Sequence, residues 1–153
     1  MENKKERILV SACLLGVNCR YDGKNGENGD ILSLMESYEL IPVCPEQLGG
    51  METPRKPSER QKSDGGVSVK NSAGEDVTEY YVKGAEETLK IARLYGCRYA
   101  ILKERSPSCG SDLIYDGTFS GNKIPGEGVT AELLKKNGIT VTGESGVKAF
   151  FSA

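Results

Sequence analysis

The chain has 153 residues, which is the size of one ordinary domain and too short for two. Its 20 basic and 22 acidic side chains leave a net charge of −2, so no strong positive field exists to attract nucleic acid or a membrane surface. Histidine is absent, which excludes Ser-His-Asp and Cys-His catalysis and imidazole metal ligands. Any chemistry must therefore use thiolates, carboxylates, hydroxyls, lysines or backbone amides.

Strand-like and helical segments alternate along the chain. In chain order we expect a strand at 8–12, a helix at 30–38, a strand at 40–43, a helix at 78–95, a strand at 99–102, a helix at 130–137 and a strand at 139–142. The strand segments are apolar without strict alternation, which is typical of strands buried on both faces of a parallel sheet. The pattern predicts a single three-layer α/β/α domain over residues 1–153, Rossmann-like or flavodoxin-like, with a mostly parallel sheet.

Two segments interrupt this alternation. Residues 45–66 are rich in proline, glycine and charged side chains, and we expect a long loop there that forms part of the active site. The β-forming residues 67–69 and 75–77 flank the turn-forming segment 71–74, which predicts a small β-hairpin insertion at about 67–77.

The five cysteines indicate a reducing compartment. Their number is odd, they are scattered over the sequence, and a chain of this length does not need disulfides to fold. No apolar run approaches the 18 or so residues of a membrane span. We therefore expect a cytoplasmic protein that acts on a small molecule, without a nucleic-acid or membrane partner, and a homodimer is left open.

Three of the cysteines are predicted to meet in space. Cys13 falls at the end of the first strand, Cys44 directly after the second, and Cys109 in the loop after the third. In open parallel sheets, the loops that leave the carboxyl ends of the strands lie side by side and form the binding site. A single cysteine would be interpreted as a buried small hydrophobe. Three at successive strand ends favour a shared metal or cluster.

The ligand inventory narrows the choice of metal. Thiolates favour zinc, Cu(I) and iron–sulfur clusters, and the close C-x₂-C pairs of structural zinc sites are absent. Three thiolates from separate loops suit a [4Fe–4S] cluster with one open iron, which could bind substrate as a Lewis acid. Cys19 is an alternative ligand or a neighbouring thiol, and Cys97 is most simply a core residue.

Polar residues near the three cysteines are candidates for the remaining chemistry. Glu46 could serve as an acid or base, or could be an exposed loop carboxylate. Ser106 and Ser108 could orient water or substrate, or could cap the turn before the third cysteine. Arg55 could anchor a planar or anionic ligand, or could be solvated. We assign Arg55 and Ser108 to substrate binding.

Six motifs together identify a resemblance. They are Ser-Ala-Cys-Leu-Leu-Gly at 11–16, Cys-Arg-Tyr-Asp-Gly at 19–23, Val-Cys-Pro-Glu at 43–46, Gly-Gly at 49–50 with Thr-Pro-Arg at 53–55, Leu-Lys-Glu-Arg-Ser-Pro-Ser-Cys-Gly at 102–110, and Ile-Tyr-Asp-Gly-Thr-Phe at 114–119. In this order they resemble a bacterial family, long catalogued as a domain of unknown function, whose characterised members are iron–sulfur-dependent thiouracil desulfidases. The resemblance extends over about residues 8–143.

The resemblance implies a ligand set and a reaction. It assigns the [4Fe–4S] cluster to Cys13, Cys44 and Cys109, with the fourth iron open to the sulfur of a thiocarbonyl substrate. It implies that this iron captures the sulfur while water replaces it at carbon, without net electron transfer. By motif position, Glu46 is the acid/base residue and Ser106 is the polar partner near the reacting carbon.

The resulting hypothesis is desulfuration of a thiolated pyrimidine or a similar small thiocarbonyl compound. One alternative is a sulfur-transfer protein that carries a persulfide on Cys13 or Cys109 without a cluster. Another is a non-enzymatic binding domain stabilised by a metal.

Overall fold

The computed structural model describes residues 4–151. Residues 1–3 and 152–153 of the domain predicted over 1–153 lie outside the described residues. The strands are β1 (Glu6–Ser11), β2 (Tyr38–Val43), β3 (Ser58–Arg60), β4 (Val69–Asn71), β5 (Tyr99–Leu102), β6 (Leu113–Tyr115), β7 (Lys123–Pro125) and β8 (Thr140–Gly143). The helices are α1 (Gly29–Leu32), α2 (Pro45–Leu48), α3 (Thr78–Tyr95), α4 (Val129–Lys136) and α5 (Val147–Phe150), with 3₁₀ turns at Ala12–Leu15, Ser33–Glu36 and Glu144–Gly146.

A four-stranded sheet forms the centre of the molecule, in the order β2-β1-β5-β8. All its neighbouring strands are parallel, with Ile8 of β1 opposite Leu40 of β2 and Tyr99 of β5. The chain leaves β1 toward β2 on one side and later returns to β5 on the other side. The carboxyl ends of β1 and β5 therefore mark the point where the strand order reverses, which is where open parallel sheets bind ligands.

Helices cover both faces of this sheet. Leu9, Ala100 and Leu102 pack on one face with Leu89 of α3 and Leu134 of α4. On the other face, the apolar side chains of β1 and β5 that point the opposite way pack with the α1 and α5 regions; they include Ile8, Val10, Ile101, Ile31, Val147 and Phe151. Because strand side chains alternate between faces, residues 8–11 of β1 and 100–102 of β5 are buried without a break, whereas β2 and β8 keep exposed positions. The three-layer α/β/α prediction is confirmed.

The predicted long elements agree with the structure to within about two residues. Helix α3 and strand β5 have the predicted bounds, and α4 begins one residue earlier than predicted. The helix predicted at 30–38 is shorter: α1 ends at Leu32, and a 3₁₀ turn continues to Glu36. Within residues 4–151, no helix has both the length and the apolar character needed to cross a membrane.

The hairpin predicted at 67–77 forms. The amide of Asn71 donates to the carbonyl of Glu75, the amide of Val77 donates to the carbonyl of Val69, and Lys70 lies opposite Asp76 in an antiparallel bridge. Its first arm, β4, also pairs along its whole length with β3. The loop predicted over 45–66 therefore contains both α2 and β3. A second small antiparallel pair, β6 with β7, was not predicted. Each of these segments has three or four residues, which is too short for its periodicity to identify it.

Two glycines let α2 and α3 approach with their backbones in contact. A Cβ atom on Gly49 would lie 2.0 Å from the carbonyl oxygen of Tyr80, and one on Gly84 would lie 2.0 Å from that of Pro45. Neither position therefore has room for a side chain. This contact fixes the residue after Pro45, which is Glu46, against the first two turns of α3.

Candidate active site

A cavity of about 440 Å³ opens at the carboxyl ends of β1, β2 and β5. This volume lies within the usual range of about 300 to 1,000 Å³ for small-molecule sites. Four thiols form part of its wall, those of Cys13, Cys19, Cys44 and Cys109. The fifth, Cys97, belongs to the core between the sheet and α3 and α4. All five are free.

Sheet topology places three of these thiols, as the sequence led us to expect. Cys13 lies in the 3₁₀ turn that follows β1, Cys44 is the residue before α2 at the end of β2, and Cys109 lies in the loop after β5. Cys19 reaches the same wall because the chain after the 3₁₀ turn folds back over it, with the amide of Gly26 donating to the carbonyl of Cys13. The structure thus brings together the predicted ligands and the alternative ligand.

Mutual contact and burial raise the pKa of Cys19, Cys44 and Cys109. The hydrogen bond with Cys13 raises the pKa of Cys19 to about 11. The hydrogen bond with Cys19, followed by burial, also raises the pKa of Cys44. Burial raises the pKa of Cys109 to about 12, although Ser11 donates a hydrogen bond to its sulfur at 3.4 Å. A cation bound among these sulfurs would displace their protons.

The placement of the thiols bears on the kind of metal centre. Among residues 4–151, no three side chains of the types His, Cys, Asp and Glu are grouped to hold one metal ion. A single zinc ion with Zn–S bonds of about 2.3 Å needs its thiolates close together. The thiolates of an iron–sulfur cube bind different irons and are spread around it. Three thiols on three loops around one cavity fit the cube.

Glu46 lies beside the thiols, at the start of α2, where Pro45 occupies the first helical position. Its Oε1 atom accepts hydrogen bonds from Arg55 Nε and from the Tyr81 hydroxyl, both at 2.9 Å. The side chains of Arg55 and Glu46 are 6% and 15% exposed, so their ion pair is largely shielded from water. In the described part of the chain, Oε2 of Glu46 accepts no hydrogen bond. One oxygen is therefore held and the other is free.

Arg55 joins Glu46 to the loop around the cavity. Its guanidinium donates to the carbonyls of Cys19 and Glu52 and to the hydroxyl of Thr53, in addition to Glu46. Burial alone would lower the pKa of Arg55, but the charge of Glu46 outweighs it and holds the pKa above its usual value. The side chain lines the cavity with its nitrogens already paired to protein. Its predicted contact with substrate stays a prediction.

Tyr81, in α3, is a residue of this site that the sequence analysis did not identify. It is 1% exposed, and burial raises the pKa of its hydroxyl. A buried tyrosine needs a partner for its hydroxyl, which is the one sequence signal that could have marked it. The partner, Glu46, is 35 positions away along the chain, so local patterns could not identify it.

Ser106 and Ser108 have different surroundings. Ser106 lines the cavity, and its Oγ accepts the amides of Ser108 and Cys109, both at 3.1 Å. It therefore shapes the turn that presents Cys109. Ser108 is 1% exposed, lies outside the cavity wall and shares a hydrogen bond of 2.7 Å with the hydroxyl of Thr130. The structure does not bring Ser108 to the predicted substrate site.

Known proteins resemble this chain over nearly its whole length. The family model described as 2-thiouracil desulfurase matches residues 8–146. The uncharacterized protein YbbK of Bacillus subtilis (strain 168) is 46% identical over 144 residues, which cover 90% of this chain and 95% of that protein. The solved structure of the [4Fe-4S]-dependent thiouracil desulfidase TudS is 43% identical, with a TM-score of 0.87 over 95% of each chain. The family match includes all four cysteines of the cavity.

Proposed function

Because this chain belongs to the 2-thiouracil desulfurase family, we propose that it is an iron–sulfur enzyme that removes sulfur from a thiolated pyrimidine or a similar small thiocarbonyl compound. The observation that carries the proposal is that the thiols at three strand ends and a carboxylate with one free oxygen line the same cavity. The overall reaction exchanges the sulfur of C=S for the oxygen of water and releases sulfide. No electron is gained or lost.

We assign Cys13, Cys44 and Cys109 as the cluster ligands. Each thiol follows a different strand of one parallel sheet: Cys44 directly, Cys13 in the 3₁₀ turn after β1, and Cys109 in the loop after β5, so the sheet brings the three segments to the same edge. A [4Fe–4S] cluster bound by three protein thiolates supplies one iron that can accept a substrate sulfur as a Lewis acid. Cys19 is assigned as a neighbour of the cluster, outside the ligand set.

Glu46 is assigned the acid/base function. Arg55 and Tyr81 hold Oε1, so Oε2 is the atom that takes a proton from the water attacking the thiocarbonyl carbon. The same atom can then return the proton to the departing sulfur or to the ring nitrogen. Since both fixed donors contact one oxygen, the carboxylate can change its protonation without losing its position.

Ser106 is assigned as the polar partner near the reacting carbon. Its Oγ accepts two backbone amides, so the hydroxyl hydrogen is free to point into the cavity that it lines. From there it can donate to the oxygen that develops at carbon. Arg55 is proposed to contribute mainly through Glu46, because its nitrogens are paired with protein atoms.

The surroundings of Cys109 do not favour this residue as the carrier in the persulfide-transfer alternative. A carrier of that kind needs an activated thiolate with a lowered pKa. Burial raises the pKa of Cys109 to about 12. Free thiols at all five cysteines also agree with the proposed location in a reducing cytoplasm.

Anaerobic reconstitution tests this function. The wild-type protein should contain about four irons and four acid-labile sulfides per chain, the content of one [4Fe–4S] cluster, and should convert 2-thiouracil to uracil and sulfide. Replacing any of the three assigned ligands by alanine, as in Cys44→Ala, should abolish the visible absorption and the turnover.

Two other cysteines supply the controls. Cys19→Ala should retain the cluster, which separates the assigned ligand set from one that uses Cys19. Cys97→Ala should retain both cluster and turnover, since this thiol lies in the core away from the cavity. A colourless, iron-free wild-type protein after reconstitution would refute the proposal.

A further inference from the structure

A buried hydroxyl in the cavity wall has no hydrogen-bond partner within residues 4–151. Ser58, at the start of β3, is 7% exposed, and its Oγ is shielded from solvent and unpaired. It lies near the hydroxyl of Tyr81 but does not reach hydrogen-bond geometry with it. Unpaired buried polar groups are costly and rare in folded proteins. Ser58 is also one of the residues that line the cavity, so a ligand that fills the cavity lies beside it.

An aromatic ring is fixed on the same wall. Phe119 lies in the turn between β6 and β7, lines the cavity and is 39% exposed. Its backbone has the left-handed angle φ = 57°, which phenylalanine rarely adopts. The turn is held by Glu59, whose Oε1 accepts the amides of Gly117 at 2.9 Å and Phe119 at 3.2 Å. Strand β3 therefore supplies Ser58 and also fixes Phe119.

The carboxylate of Glu59 is committed to this support. It is 8% exposed and accepts two backbone amides, so it acts as a structural anchor for the turn. Gln61 reinforces it by donating to the carbonyl of Gly117 at 3.1 Å. The buried carboxylate holds the backbone of Phe119 in an unfavourable conformation. The position of the ring is therefore fixed before any ligand binds.

We propose that Ser58 and Phe119 determine substrate specificity: Phe119 lies against the face of a planar thioheterocycle, and Ser58 bonds to its polar edge. This inference rests on the proposed function and identifies the residues that recognise the ring of the substrate. The flat ring of phenylalanine favours a flat partner in offset stacking. A hydroxyl can donate to a ring carbonyl or accept from a ring N–H, so it distinguishes a pyrimidine edge from a plain hydrocarbon edge.

The consequence is selection for a cyclic substrate with a second polar group. Uracil carries a second carbonyl and a second N–H in addition to those of the reacting amide, and 2-pyridone lacks this second pair. A site built to bond a polar ligand edge rejects an analogue without that edge, because its own buried group is then unpaired. Acyclic thioamides such as thioacetamide offer neither the ring face nor this edge.

Binding of uracil and 2-pyridone to the reconstituted holoenzyme, measured by calorimetry, tests the inference. Neither probe contains sulfur, so both report ring recognition separately from desulfuration. Ser58→Ala should weaken uracil binding about 10-fold and leave 2-pyridone unchanged, as expected for one lost hydrogen bond. Phe119→Leu should weaken both by a similar factor. Ser33→Ala and Phe150→Leu, which alter an exposed hydroxyl and an exposed ring away from the cavity, should change neither.

Thermal unfolding separates recognition from a structural function. A hydroxyl that stabilised the fold would lower Tm when removed, whereas Ser58→Ala should leave Tm unchanged or raise it. The inference would be overturned if wild type and Ser58→Ala bound uracil with equal affinity. If the wild-type protein still turned over 2-thiouracil, the proposed function would stand. Uracil binding that depends on Ser58, in a holoenzyme that releases no sulfide, would support the inference and refute the function.

Discussion

Tyr81 and Glu46 form a hydrogen bond of 2.9 Å between α3 and α2, and the phenol contacts the same carboxylate oxygen that Arg55 holds. The bond exists because the two helices touch at Gly49 and Gly84. A residue in the hydrophobic face of a helix thereby controls the orientation of the proposed acid/base group. This arrangement makes Tyr81 a positioning residue.

Tyr81→Phe keeps the ring and removes only the donor. Hydrogen bonds to charged groups contribute about 1.5–3 kcal/mol, so we expect kcat/KM for 2-thiouracil to fall about 10- to 100-fold. The loss should be mainly in kcat, because Glu46 acts on the reacting atoms while the ring is bound elsewhere. Steady-state sulfide release measures both constants. Tyr80→Phe is the matched control, since Tyr80 is its exposed neighbour on α3; equal kcat in the two variants would contradict the assignment.

Gly49→Ala tests the contact between the helices. Its added Cβ would lie 2.0 Å from a backbone oxygen of α3, so α2 must move. We expect a loss of about 1–3 kcal/mol in the free energy of unfolding, the usual cost of overpacking, together with reduced turnover because Glu46 moves with α2. Denaturant unfolding measures the first effect. Gly29→Ala, which adds a methyl group to another helix with nothing within 4 Å, should have little effect; a similar loss there would count against the packing argument.

Glu132→Gln tests a pH-dependent link between α4 and β3. Burial alone would raise the pKa of Glu132, but the hydrogen bonds and charges of Arg60 and Lys136 outweigh it and lower the pKa below its usual 4.5. A lowered pKa stabilises the fold above pH 4.5, and this contribution disappears as the pH falls through the lower, folded-state value. We expect the variant to lose about 1 kcal/mol at pH 7, with the difference vanishing in acid.

Unfolding of wild type and Glu132→Gln, measured at several pH values, checks the direction of this effect. Glu87→Gln removes the partner of an exposed lysine on α3, and should change stability little at any pH. If the loss in Glu132→Gln were constant from pH 7 down to pH 3, the ionised pair with Arg60 would not be its source.

The sequence predicted the elements whose signals are local. The apolar runs of the sheet and the periodic apolar face of α3 are long enough to be recognised in the sequence. Parallel topology then places Cys13, Cys44 and Cys109 on one edge of the sheet. What escaped prediction depends on contacts between distant segments. Tyr81 is indistinguishable from a core residue until its partner is known. Ser58 lies in a three-residue segment that is a strand only because it pairs with β4.

Substrate binding was the weakest part of the sequence-based interpretation for the same reason. Arg55 and Ser108 are polar residues near cysteines, which is a pattern that functional and structural residues share. Packing separates them: Arg55 is surrounded by protein acceptors such as the carbonyls of Glu52 and Cys19, and Ser108 faces Thr130 of α4. The orphan hydroxyl of Ser58 can be recognised only when the surrounding atoms are in place.

The spacing of the three strand-end thiols also orders events during biosynthesis. No stretch shorter than residues 13–109 contains the proposed ligand set, and β1, β2 and β5 pair only through contacts between distant parts of the chain. A nascent chain on the ribosome cannot accept a complete cluster until Cys109 has emerged and β5 has docked beside β1. Cofactor loading therefore cannot precede the pairing of β5 with β1.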